Sequence, residues 1–159
     1  MCSLIQFPGF YGIVVGACVF GAIWGISAIA LGEGPFEMDV LGEKGTFEPL
    51  LSNYLDIAKF VLGIASGSIV LLVGSAAFHS PGHLPTSFAS PLFLLALCIL
   101  YGVLFMALLM LDYEDYRHRT GASTYARLKY SRNIALGVGG LACFCIGYAW
   151  LIVIVTRRG

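Results

Sequence analysis

Long apolar runs alternate along this chain with polar connections, and the runs are too long for strands or for ordinary core helices. Four windows are uncharged over about 18 residues or more, the length that carries a helix across a hydrocarbon layer roughly 30 Å thick. They run approximately Phe10–Leu31, Phe60–Phe78, Pro91–Leu111 and Ile134–Val155, and with Ile57 to Lys59 included the second span is 57–78. The pattern predicts an all-α polytopic membrane protein, with four transmembrane helices in an antiparallel bundle and residues 1–159 forming one domain. An even number of spans puts both termini on one side and the 1–2 and 3–4 connections on the other.

Composition supports the same class. The chain is 58% apolar and 11% charged, with a mean hydropathy of +0.88, more apolar matter than one soluble core of this length can enclose. Ala28-Ile29-Ala30 has the small residues of a signal cleavage site. However, "MCSLIQFPGF" carries no Lys or Arg, and the following run is too long for a signal peptide's apolar region, so the first span reads as a retained helix.

Charge is concentrated in "DYEDYRHRTGASTYARLKYSR", Asp112 to Arg132. Tyr113 and Arg117, Glu114 and His118, and Asp115 and Arg119 are each four apart, so each pair shares a helix face. The third helix is therefore expected to continue past the bilayer. Thr120-Gly121 breaks it, Ser123 is placed to cap a new helix, and Tyr125 to Arg132 leads into the fourth span. Helices 3 and 4 then form a protruding hairpin whose tyrosines suit the headgroup zone. The 1–2 connection is acidic, with Glu33, Glu37, Asp39, Glu43, Glu48 and Asp56 against Lys44. Because both connections lie on one face, the acidic loop and the basic hairpin are neighbours. Glu43, Glu48, Asp112, Asp115, Arg117, Arg119, Arg127, Lys129 and Arg132 are thus candidate docking residues; two solvated loops that never touch is the alternative.

Lys and Arg near a membrane are retained preferentially on the cytoplasmic side. Arg117, Arg119, Arg127, Lys129, Arg132 and Lys44 all belong to the two connections, with Lys59 at the mouth of the second helix. The terminal side carries Arg157 and Arg158. This count places both loops in the cytoplasm and both termini outside.

Helices gain little from hydrophobicity against one another in lipid, so small residues that admit a close backbone become the packing signal. Gly12/Gly16 and Gly21/Gly25 in the first span, Gly63/Gly67 in the second, and Gly139, Cys143 and Gly147 in the fourth fall at four-residue steps. They serve either intramolecular packing or a subunit interface. The second helix is expected to start at Pro49. Ser52, Asp56, Lys59, Gly63, Ser66, Val70 and Gly74 form one stripe along it, with Gly67 beside them. The stripe either lines a water-filled path or assembly axis, or is a bundle seam with Lys59 reaching to the interface.

The search for reaction chemistry is largely negative. The four uncharged windows hold no Asp, Glu, His, Lys or Arg, which argues against a proton-coupled transporter or light-driven pump. His79 and His83 follow the second helix and His118 the third, on opposite membrane faces, so a bis-histidine haem is not expected. "HSPGH" has no third ligand nearby in sequence to make a metal site. Cys143 and Cys145 point to nearly opposite sides of a helix, so they do not chelate. Ser66 and Ser68 have no neighbouring base, and there is no nucleotide-binding Gly-rich loop. No cofactor, metal, nucleic acid partner or catalytic constellation is therefore expected. An enzyme acting on lipid or quinone through Asp112, Glu114, Asp115 and His118 is the weakest of the readings.

"YLDIAKFVLGIASGSIVLLVGSAAF" and "PLFLLALCILYGVLFMALLMLDYEDYR" together resemble the paired helices of small, mostly uncharacterised bacterial four-helix membrane proteins. Some of those are similar to membrane effectors of phage-defence systems, which open or disrupt the inner membrane. The resemblance covers roughly residues 50–155; the Ser52/Asp56/Lys59/Gly63/Ser66 stripe and the GxxxG pairs lead to the expectation of a non-enzymatic protein that self-associates and forms or gates a pore. The alternative expectation is an accessory or assembly subunit of a larger membrane complex, docking through the two loops. The expected partners are membrane lipid, further copies of the chain or other membrane subunits. A C-terminal reporter active only in the cytoplasm is expected to stay silent; a signal from it would overturn the orientation.

Overall fold

The computed structural model describes residues 9–30, 36–37, 47–79, 86–118, 124–125 and 127–157. Four helices carry the fold: α1 (Phe10–Ala30), α2 (Phe47–His79), α3 (Ala89–His118) and α4 (Arg127–Thr156). Each is long and apolar enough to cross a membrane. A single 3₁₀ turn at Thr86–Phe88 leads into α3. The only strands among the described residues are β1 (Phe36–Glu37) and β2 (Thr124–Tyr125), which pair antiparallel with Phe36 opposite Tyr125 and Glu37 opposite Thr124. This short ladder brings the 1–2 and 3–4 connections together.

Helix limits differ from the sequence expectation for identifiable reasons. Helix α2 begins at Phe47, two residues before Pro49, because a first-turn proline lacks only an N–H that the helix would leave unbonded in any case. Helix α4 begins at Arg127. Tyr125 belongs instead to the ladder with the 1–2 connection, so the backbone there pairs across loops before it turns helical, and Ser123 lies outside the described residues. The extension of α3 to His118 carries the chain seven residues beyond Leu111, giving the protruding α3–α4 hairpin.

The bundle is uneven. Helices α1, α3 and α4 pack mutually, with the α3–α4 interface the largest, whereas α2 lies mainly on α3 and touches α4 at an edge. Successive contacts give the helix directions. Gly12 faces Ser90 and Gly16 faces Leu97, so α1 and α3 run parallel. Gly137 faces Phe105 and Gly147 faces Leu94, so α3 and α4 run antiparallel. The centre is a cluster of Ala65, Leu94, Cys98 and Cys143, flanked by Val15, Val61, Ile99, Tyr101, Phe144 and Trp150. A second cluster of Phe105, Leu109 and Leu136 lies nearer the loops.

The glycines divide by environment. A Cβ on Gly12 would stand 2.4 Å from the Ser90 carbonyl oxygen, and one on Gly16 would stand 2.4 Å from Leu97 Cδ1. Gly139 lies against Phe20 and Tyr101, and Gly147 against Leu94 and Leu95. In contrast, Gly21, Gly25, Gly63, Gly67 and Gly74 have nothing among the described residues within 4 Å of an added Cβ. Gly12→Ala must push a backbone carbonyl, and is expected to destabilise the protein by about 1–3 kcal/mol. Gly21→Ala meets open space, and is expected to be neutral or stabilising by up to about 1 kcal/mol through helix propensity. Unfolding in bicelles distinguishes the two; equal effects would show that the Gly12 approach is not tight.

Candidate functional site

Two arrangements stand out from the otherwise apolar bundle: a polar network at the loop-side end of α3 and α4, and the outward face of α2. The first is built from α4 positions 129, 132 and 133, which share one helix face at spacings of three and four, set against Asp112 and Asp115 of α3. Asn133 Nδ2 donates to Asp112 Oδ2 at 2.8 Å and Arg132 Nη2 donates to the same oxygen at 3.3 Å. Lys129 Nζ lies 3.0 Å from Asp115 Oδ2 and 3.6 Å from Asp112 Oδ1. Arg132 also donates to Asn133 Oδ1 at 3.4 Å through Nε. The Asp112 side chain is 5% exposed, whereas those of Lys129 and Arg132 are 38% and 35% exposed. One carboxylate is therefore sunk into the helix interface and covered by cations that still reach the surface.

The placement of these charges makes sense only across the interface. A lysine in the first turn of α4 faces the positive end of its own helix dipole, which is unfavourable by a few tenths of a kcal/mol. Opposite α3 it meets two carboxylates instead. Asp115 meets Lys129 across the hairpin, whereas Arg119, its expected partner along α3, lies outside the described residues. Glu43 and Arg119 lie outside the described residues, and Glu48, Arg117 and Arg127 are described as helical backbone.

A second polar pair sits nearby, between α1 and α4. Ser27 Oγ and Ser131 Oγ are 2.6 Å apart, and both lie within reach of the Trp24 carbonyl, at 3.0 and 3.3 Å. Two hydroxyl protons serve both the mutual bond and the carbonyl, so either direction of donation satisfies the group. Deeper in the bundle, Tyr101 of α3 donates to the Gly16 carbonyl of α1 at 3.3 Å, and Tyr148 of α4 is hydrogen-bonded to Ser68 of α2. Sequence reasoning did not single out Ser27, Ser131, Asn133, Tyr101 or Tyr148. The two tyrosines carried a usable signal: a phenol in mid-span cannot reach water, so its hydroxyl has to find an acceptor on a neighbouring helix.

On α2 the residues turned inward are Ala58, Val61, Leu62, Ala65 and Ser68. Leu62 fills the space beside Gly102 of α3, and Tyr54 meets Phe105 edge to face at 6.4 Å. The stripe read from the sequence lies on the other side. Ser52, Asp56, Lys59, Gly63, Ser66, Gly67 and Val70 are exposed and Gly74 is half-buried. Lys59 pairs with Asp56 at 3.5 Å, both well exposed. Ser66 Oγ donates back to its own helix, reaching the Leu62 carbonyl at 2.8 Å and that of Gly63 at 3.1 Å. Of the cysteines, Cys98 and Cys143 are buried and Cys18 and Cys145 exposed, all as free thiols. Among the described residues no three His, Cys, Asp or Glu side chains are grouped as a metal site.

The chain matches no protein-family model, no curated protein and no solved structure. Its class therefore rests on its own fold: four apolar helices of spanning length make it an integral membrane protein. Asp112→Ala would leave Lys129, Arg132 and Asn133 without their shared acceptor. Breaking a buried ion pair costs about 3–5 kcal/mol, and the partial exposure of both cations lowers the expected loss to about 2 kcal/mol. Asp115→Asn, at a more open position, is expected to cost less than about 1 kcal/mol, diminishing further at high salt. Unfolding free energies in bicelles at two salt concentrations check both; equal losses for the two variants would refute the ranking.

Proposed function

We propose that this protein is a non-enzymatic membrane component that self-associates through the outward face of α2 and forms or gates a pore along the resulting axis. The observation that carries this reading is the combination on one exposed helix face of Gly63, Gly67 and Gly74, all with open space at the Cβ position, and Ser66 and the Asp56–Lys59 pair. Small residues matter in lipid because they admit a second backbone closely. On this face they have no packing partner among the described residues of their own subunit, so their packing value is realised between copies. Ser66 and the Asp56–Lys59 pair are bonded within α2, which lets that part of the face rest against lipid in a single copy. Assembled around an axis, Ser52, Asp56, Lys59 and Ser66 would give that axis a polar lining at its loop-side mouth.

The orientation that belongs to this reading has cytoplasmic loops and external termini, in a plasma membrane of bacterial type. It rests on the Lys and Arg count, with Lys129 and Arg132 positioned at the hairpin end. This agrees with the membrane-opening role implied by the resemblance to four-helix effectors. A second reading, an accessory subunit that docks through its loops, is favoured by the β1–β2 ladder, which joins the two connections into one surface. Light scattering of the purified particle, with the detergent contribution subtracted, separates the two. A discrete homo-oligomer that dissociates in the Gly63→Leu/Gly67→Leu variant and loses its conductance is the expected result. An oligomer and conductance both indifferent to these substitutions would sink the pore reading, and a particle containing other chains would favour the accessory subunit.

A further inference from the structure

Hydrogen bonds from side chains tie α1, α3 and α4 into one unit. Asp112 joins α3 to α4 through Asn133 and Arg132, Ser27 joins α1 to α4 through Ser131, and Tyr101 joins α3 to α1 at the Gly16 carbonyl. Helix α2 is held differently. Its inward face is apolar, with Ala58, Val61, Leu62 and Ala65 toward α3, and on its outward face Ser66 and the Asp56–Lys59 pair bond within the helix. Among the described residues its polar link to α4 is the Ser68–Tyr148 pair, roughly 24 Å along the helix axis from Ser52 at 1.5 Å per residue. That puts the link in the half of the span remote from the connecting loops.

The protons at this pair can be assigned. Ser68 Oγ lies 2.8 Å from the Ile64 carbonyl of its own helix, which takes the single serine proton. Tyr148 is therefore the donor and Ser68 the acceptor. The Tyr148 ring is also held against Phe144 of the same helix, with centroids 4.7 Å apart. The phenol is thus fixed on the α4 side and grips α2 by one hydrogen bond.

We propose that α2 is a displaceable helix, latched to the α1/α3/α4 unit by Tyr148 and Ser68 and able to swing away from α4 within the bilayer while the other three helices stay together. Lipid compensates the apolar surface that this motion uncovers, because hydrocarbon tails solvate Ala, Val and Leu as another helix does. The backbone hydrogen bonds that make α2 a helix run within it, so the swing leaves them paired. The motion belongs to a single copy. Its consequence, that the helix at the assembly axis moves relative to its own subunit and so gates the axis, rests on the reading proposed above.

Pulsed electron paramagnetic resonance in nanodiscs holding one copy each tests the motion without interference from assembly. Cys2, Cys18 and Cys145 are replaced by Ala, while the buried Cys98 and Cys143 are kept. Spin labels at Val70→Cys and Ile152→Cys report on α2 against α4; labels at Val14→Cys and Ile152→Cys report on α1 against α4. All three positions are exposed. The α2–α4 pair is expected to show a short and a longer distance. Tyr148→Phe, which leaves Ser68 bonded to Ile64, should raise the longer population about threefold relative to the shorter, the factor for an average interhelical hydrogen bond in a bilayer. Ser68→Ala should do the same, and the α1–α4 distance should not respond to either. A single α2–α4 distance indifferent to both variants, or equal broadening of the α1–α4 pair, overturns the proposal. An oligomer mass unchanged by Gly63→Leu/Gly67→Leu would sink self-association and leave this result standing.

Discussion

A hydrocarbon layer solvates leucine about as well as a neighbouring helix does, so hydrophobicity cannot set the register of four apolar helices. Here the register of the largest interface is set at one point, where the Asp112 carboxylate enters between α3 and α4 and collects Asn133, Arg132 and Lys129. Moving α4 by one residue along its axis would carry those donors around the helix by roughly 100° and leave a carboxylate in the interface without them. Above this point the packing is conventional, with Gly137, Gly140 and Gly147 admitting Phe105, Tyr101 and Leu94. The Ser27–Ser131 pair then fixes α1 on the same platform.

The arrangement separates two tasks among the helices. Helices α1, α3 and α4 build the unit, and Gly12 and Gly16 are used there to bring α1 against α3. Helix α2 contributes Ala65 to the centre of that unit and otherwise faces outward, where Phe60, Ile64 and Leu71 are exposed beside its small and polar residues. The same residue type thus serves opposite ends: Gly12 and Gly16 in α1 close an interface within the chain, whereas Gly63 and Gly67 in α2 leave a face open.

That contrast explains what could be read from the sequence. The spans were legible because a run such as Phe10–Leu31 has no other stable home, and the observed α1, Phe10–Ala30, follows it closely. The hairpin was legible too, since charges at spacings of three and four require a helix beyond Leu111. The inward side of α2 was not. In water, polarity separates the exposed side of a helix from the buried one, but in lipid both sides are apolar, and Gly63 reads like Gly12 until a neighbour is placed. Asp112 and Lys129 were both recognisable as charged residues of the hairpin. That Asp112 would be sunk between helices depended on the angle at which α4 returns, which spacing along the chain does not encode. The start of α4 was also hidden, because the ladder at Tyr125 depends on residues far away in sequence.

The contact between α1 and α4 bears on how the protein is made. A chain is synthesised from its N-terminus and its segments become available in order, yet Ser27 finds its partner 104 residues later, at Ser131. The surfaces of α1 around Gly12 and Gly16 wait for α3, and Ser27 waits for α4. During biosynthesis the first helix therefore stands in lipid with a reactive packing face while most of the protein is still to be translated. Lipid or an insertion factor has to occupy that face until α4 arrives, so the first helix is fully seated only by the fourth.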